Sequence, residues 1–113
     1  MALRHIVDLL GAEILCGDNL LDHQVTKVVA TDMMSSVLAY SEPNTLLLTG
    51  LANIQVINTA EIASLAGIIF VKGLHPSEEV IRKAKQLQLP VIITPHSLYS
   101  ACGLLYQQGI CGI

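Results

Sequence analysis

Leu46-Leu47-Leu48-Thr49-Gly50, Ile68-Ile69-Phe70-Val71-Lys72-Gly73 and Val91-Ile92-Ile93-Thr94-Pro95 are three short apolar runs, each breaking into a small polar turn that can open a helix. An earlier run, Val28-Val29-Ala30-Thr31-Asp32, has the same form. The turn residues Thr49, Lys72 and Thr94 recur at nearly equal intervals, which is the rhythm of repeated strand-helix units. Apolar runs of this length, bounded by Gly or Pro and followed by helical periodicity, read as buried parallel strands. Parallel crossovers are almost always right-handed, so the strand ends face one side of one sheet and their polar turns gather along one edge. Any ligand site belongs on that edge.

Outward from these runs the remaining elements fall into place. Leu3, Ile6, Val7 and Leu10 recur at helical spacing, and Gly11 follows where a left-handed cap ends a helix. A strand over residues 12–16 reaches the turn-forming Gly17-Asp18-Asn19. A further strand is expected over 24–31, with Thr31 or Asp32 capping a helix from Met33 to Tyr40. Asn53 is a natural N-cap for a helix carrying Val56, Ile57 and Ala60. Pro76 suits the first position of the next helix, whose stripe is Val80, Ile81, Ala84 and Leu87. Pro95 opens the last, through Leu98, Ala101, Cys102 and Leu105. The tail Ile110-Cys111-Gly112-Ile113 is too apolar to stand in water and is expected to pack on the core or on a partner chain. The expected architecture is a single α/β domain over residues 1–113, three layers with a mostly parallel central sheet and helices on both faces.

A chain of 113 residues buries only roughly 65% of its extended surface on folding. Yet 52% of its residues are hydrophobic and 13% charged, against about 25% charged in an ordinary soluble domain. The apolar surplus points to a homodimer interface or a docking face, the alternative being a flat sheet whose strands are apolar on both faces. A net charge of -3 argues against binding nucleic acid through phosphate neutralisation. The basic cluster Arg82, Lys83 and Lys85 follows Glu78 and Glu79 on one helix, a distribution the helix dipole favours, and reads as a solvated face, with a phosphate-binding patch as the alternative. No run approaches the ~20 apolar residues that cross a bilayer. Arg4, His5 and Asp8 interrupt the first residues too early for a signal peptide. Cys16, Cys102 and Cys111 lack C-x-x-C spacing and read as reduced thiols of a cytoplasmic protein, with no metal site.

The candidate ligand-binding residues are Thr49, Gly50, Asn53, Lys72, Gly73, Thr94, His96 and Ser97. Thr49-Gly50-Leu51-Ala52-Asn53 joins a strand to a helix, so its free amides can hold an anion. Lys72-Gly73 offers a cation beside a flexible turn, and Thr94-Pro95-His96-Ser97 adds hydroxyls and an imidazole. An anion there gains Lys72 and, when protonated, His96, so its binding is expected to weaken as pH rises. Neither G-x-G-x-x-G nor G-x-x-x-x-G-K-[ST] is present, and no cofactor is implied. No nucleophile elbow supports a triad drawn from Ser97 or Ser35, His96 or His75, and Asp32.

With these turns in place, the stretch from Leu46 to Leu105 resembles the DRTGG domain family, and Gly11 to Asp32 resembles that domain's N-terminal part. Thr49 to Gln55 stands at the family's first turn, Ile68 to Gly73 at its second and Val91 to Ser97 at its third. Val71-Lys72-Gly73 occupies the Thr-Gly-Gly position. Such domains accompany CBS pairs in regulated pyrophosphatases and are similar to the N-terminal domain of HPr kinase. The resemblance implies a dimerising regulatory or sensing module without chemistry of its own. It would bind a small anionic ligand such as a nucleotide, or a protein partner. A small stand-alone enzyme using His96 and Thr49, and a ligand-free structural assembly subunit, are the alternatives.

Overall fold

A computed structural model describes all 113 residues. The strand β3 (Thr45–Thr49) is buried at every position and lies inside a sheet of order β1-β5-β4-β3-β2-β6. Its neighbours are β2 (Lys27–Ala30) and β4 (Gly67–Phe70), and β5 (Val91–Ile93) pairs with β4. All four run parallel, as the evenly spaced turns predicted.

Strand side chains alternate between faces, and this separates the two halves of the core. Leu46, Leu48, Ile69 and Ile92 pack with α1 (Leu3–Leu10) and α5 (Leu98–Gln107). Leu47, Ile68, Phe70 and Val91 pack with α2 (Met34–Tyr40), α3 (Ile54–Ile62) and α4 (Glu78–Gln86). Helices thus cover both faces, which gives the three expected layers. A sheet wet on neither side explains strands apolar on both sides.

The sheet's two outer strands have different origins. Gly11, left-handed at φ 56, ends α1 and turns the chain back as β1 (Glu13–Cys16), antiparallel to β5. Beyond β1, Gly17 has φ 90, and a Cβ there would lie 2.6 Å from Pro90 Cα, so only glycine permits this approach. A short 3-10 turn (Asp18–Leu20) follows. At the far edge the apolar tail forms β6 (Cys111–Gly112), parallel to β2, while Ile110 joins the core.

Three local expectations need correction. The strand expected over 24–31 is regular only from Lys27 to Ala30. Neither Thr31 nor Asp32 caps α2, whose N-cap Met33 has no side-chain cap bond. Pro76 and Pro95 precede their helices instead of opening them. Ser77 and Ser97 take the caps, since a hydroxyl can accept from Val80 N and Ser100 N and a proline ring cannot.

Candidate functional site

The turns after β2, β3, β4 and β5 lie along one edge of the sheet, so the eight sequence-predicted residues share a side of the molecule. They fall into groups with different jobs.

The first group is built on Asp32, which the sequence offered, with Thr31, as a helix cap. Its Oδ1 accepts from Thr49 Oγ1 at 2.7 Å and from Gly50 N at 2.8 Å. Thr49 Oγ1 in turn accepts from Leu51 N at 3.2 Å, so hydroxyl and amides form a relay ending on the carboxylate. The amides expected to hold an outside anion therefore already hold an inside one. The only sequence cue was the place of Asp32 at the end of a strand that neighbours β3.

In the second group two turns are stitched together. Lys72 N donates to the His96 carbonyl at 2.8 Å, and Gly73 N donates to the Thr94 carbonyl at 2.8 Å. Leu74 N closes onto the Val71 carbonyl at 3.1 Å. Both central residues of that turn have positive φ, Lys72 at 59 and Gly73 at 66. Such a turn suits glycine at both positions, and a lysine there carries a backbone cost. The buried Thr94 hydroxyl donates to the Leu10 carbonyl at 2.9 Å and accepts from His96 N at 3.4 Å. This ties the end of α1 to the same turn. The Lys72 side chain is exposed, His96 is half-buried, and neither side chain forms a hydrogen bond or ion pair within the chain.

Asn53 and Ser97 form the third group. Asn53 Oδ1 accepts from Val56 N at 3.3 Å and Ser97 Oγ from Ser100 N at 3.2 Å, so both cap helices. That use of Ser97 also parts it from the imagined triad. Asp32 bonds to Thr49 and Gly50, and the His75 ring meets the Pro76 carbonyl at 2.8 Å through Nδ1. No three His, Cys, Asp or Glu side chains converge in a metal-binding geometry. Burial pushes the thiols of Cys16 and Cys102 up from the ordinary cysteine range. For Cys16 a backbone hydrogen bond with Val91 and the charge of Lys85 offset part of that rise.

Five surface clefts lie elsewhere. Two of them adjoin β1 and α4, and none of the five is lined by the eight residues. No helix is long and apolar enough to cross a membrane.

Among solved structures, the chain is similar to the CBS and DRTGG domains of the regulatory region of Clostridium perfringens pyrophosphatase, crystallised with the activator diadenosine tetraphosphate. The two align with a TM-score of 0.76 and 26% identity over 94% of this chain and 46% of the other. The chain thus spans less than half the length of that relative. No curated protein matches it in sequence. The sequence profile of the DRTGG domain matches residues 5–107, and by that match, on the three-layer fold just described, the chain belongs to the DRTGG domain family.

Proposed function

We propose that this protein is a regulatory or sensing module that binds a small anionic ligand of the nucleotide class and passes on its ligand state through a homodimer or a protein partner. The observation that carries this reading is the stitched pair of turns. In a DRTGG domain it sets the exposed Lys72 beside the histidine turn, on the edge where four parallel strands end. A solved relative with 26% identity belongs to a regulatory region crystallised with a dinucleotide activator, which supports the ligand class. The free thiols suit a cytoplasmic setting.

Dimerisation draws its support from α5, which contains no charged residue and leaves Tyr99 89% and Tyr106 77% exposed. Exposed aromatic side chains on an uncharged helix are the composition of an interface core.

Thermal unfolding in the presence of ATP and of diadenosine tetraphosphate tests the ligand reading. A ligand that binds only the folded state adds RT ln(1 + [L]/Kd) to the free energy of unfolding, and the midpoint rises accordingly. A rise that is diminished in Lys72→Ala is expected, and the absence of any rise with either compound refutes the nucleotide class. Light scattering tests the dimer, with a doubled chain mass expected for the wild type and a single one for Tyr106→Glu.

A further inference from the structure

The chain carries six Lys and Arg residues, and they are not equally engaged. Arg4 pairs with Asp22 at 3.3 Å and Lys27 with Glu42 at 3.4 Å. Lys72, Arg82, Lys83 and Lys85 meet no carboxylate oxygen within 4.0 Å. In a protein of net charge -3, the unpaired positive charge is therefore concentrated on α4 and the turn before it.

Arg82 and Lys85, three residues apart on α4, share a face of the helix. That face borders a cleft of about 460 Å³ against the edge strand β1, lined also by Leu15, Ile81, Glu78 and His75. Lys85 and Leu15 continue into an adjoining cleft of about 470 Å³ that reaches Gly17, Asp18 and Asn19. Each volume falls within the roughly 300–1,000 Å³ of ordinary small-molecule sites. Lys83, on the same helix, lines neither cleft.

The chemistry of the lining is divided. At one pole stand the Arg82 fork, which can grip two phosphate oxygens at once, and the Lys85 ammonium. His75 has Nδ1 on the Pro76 carbonyl at 2.8 Å, which places the proton on Nδ1 and leaves Nε2 free for a ligand. Leu15 and Ile81 supply an apolar wall, and Glu78 is an acceptor for a hydroxyl. Glu78 also stands four residues before Arg82, yet it does not close onto the guanidinium.

We propose that the cleft between β1 and α4 binds a nucleoside polyphosphate, with Arg82 and Lys85 holding the phosphates and Leu15 and Ile81 the apolar part. This rests on the nucleotide reading above and extends that ligand's phosphate contacts from the Lys72 turn onto α4, so ATP should weaken in Lys72→Ala as well as in a variant lacking Arg82 and Lys85.

Calorimetric titration of the intact chain with ATP and with inorganic tripolyphosphate tests it, using wild type, Arg82→Gln/Lys85→Gln, Lys83→Gln and Lys72→Ala. All substituted side chains are exposed or half-buried on the surface, and far-ultraviolet circular dichroism verifies the fold of each variant. The double variant is expected to weaken ATP at least about tenfold through lost charge-assisted bonds. Lys83→Gln should change it no more than about twofold, as a screened surface charge does. ATP should bind more tightly than tripolyphosphate, because only ATP reaches the apolar wall. Equal losses in Lys83→Gln and the double variant would reduce the cleft to general charge attraction and overturn it. Loss confined to Lys72→Ala would overturn the cleft while leaving the proposed function in place. No binding of either compound to the wild type would overturn both.

Discussion

Asp32 Oδ1 accepts a hydrogen bond from Thr49 Oγ1 at 2.7 Å, joining the ends of two adjacent parallel strands through side chains. The same oxygen takes Gly50 N at 2.8 Å, so the carboxylate occupies the place an incoming anion would want. Thr49 is buried beneath the exposed Asp32, so solvent can reach its hydroxyl once the carboxylate is removed. Asp32→Ala is expected to destabilise the fold by about 1 kcal/mol, the net worth of hydrogen bonds that water can partly replace. Urea unfolding measures this, and an unchanged midpoint would show the relay to be idle.

Lys72 holds a backbone conformation that favours glycine, at φ 59. Lys72→Gly should stabilise the protein by roughly 0.5–1 kcal/mol, as relief of the left-handed strain exceeds the added chain entropy. It should at the same time weaken an anionic ligand, since the only charge on that turn is removed. Chemical denaturation and nucleotide titration of the same variant read the two effects separately. A lysine that contributes nothing to binding would show the stability gain alone.

Asn53 and Ser97 are caps, and caps have a characteristic energetic signature. Replacing either by Ala should cost about 1 kcal/mol of stability while leaving ligand affinity unchanged. Ser77→Ala should cost less, because its hydroxyl lies 3.4 Å from Val80 N. Affinity lost in Asn53→Ala at constant stability would return that side chain to the ligand site.

The three thiols should react in the order of their exposure, Cys111 before Cys102 before Cys16. Cys16 is buried and its Sγ donates to the Leu89 carbonyl at 3.3 Å, so its labelling should require unfolding. Mass spectrometry after timed alkylation gives the order directly.

The raised thiol of Cys16 also has a consequence for stability in alkali. Burial keeps its proton on in the folded chain, above the 9.0 at which an open chain ionises. The stability tied to that neutral thiol is complete below pH 9.0 and is lost as pH rises from there through the higher folded value. Cys16→Ala should therefore show a shallower alkaline decline in melting temperature than the wild type. Parallel declines would show that the thiol has no part in it.

The parallel core was legible because its information is local. Leu46 to Leu48, Ile68 to Phe70 and Val91 to Ile93 are apolar at every position, which only a strand covered on both faces tolerates. The Asn53 cap was legible for the same reason, since its bond runs to Val56 within one turn. Proline suggested itself at two helix starts because its φ is suitable. A serine takes the cap in both, accepting an orphan amide, and the proline stands one or two positions before it.

What the sequence by itself determined is the set of strands, their shared direction and the edge on which their turns gather, because hydrophobic period and turn residues act over a few positions. Tertiary structure alone decided which groups on that edge are left for a ligand. Asp32 meets Thr49 across a strand pair, Thr94 meets Leu10 from opposite ends of the chain, and Lys72 N finds the His96 carbonyl. Each partnership depends on strand order, which no local spacing encodes. Each also consumes a donor or acceptor that looked free when the residues were read in line. The antiparallel return of β1 was hidden for the same reason. Its direction follows from where α1 packs, and that places Leu15 opposite Arg82 and Lys85 to form the cleft.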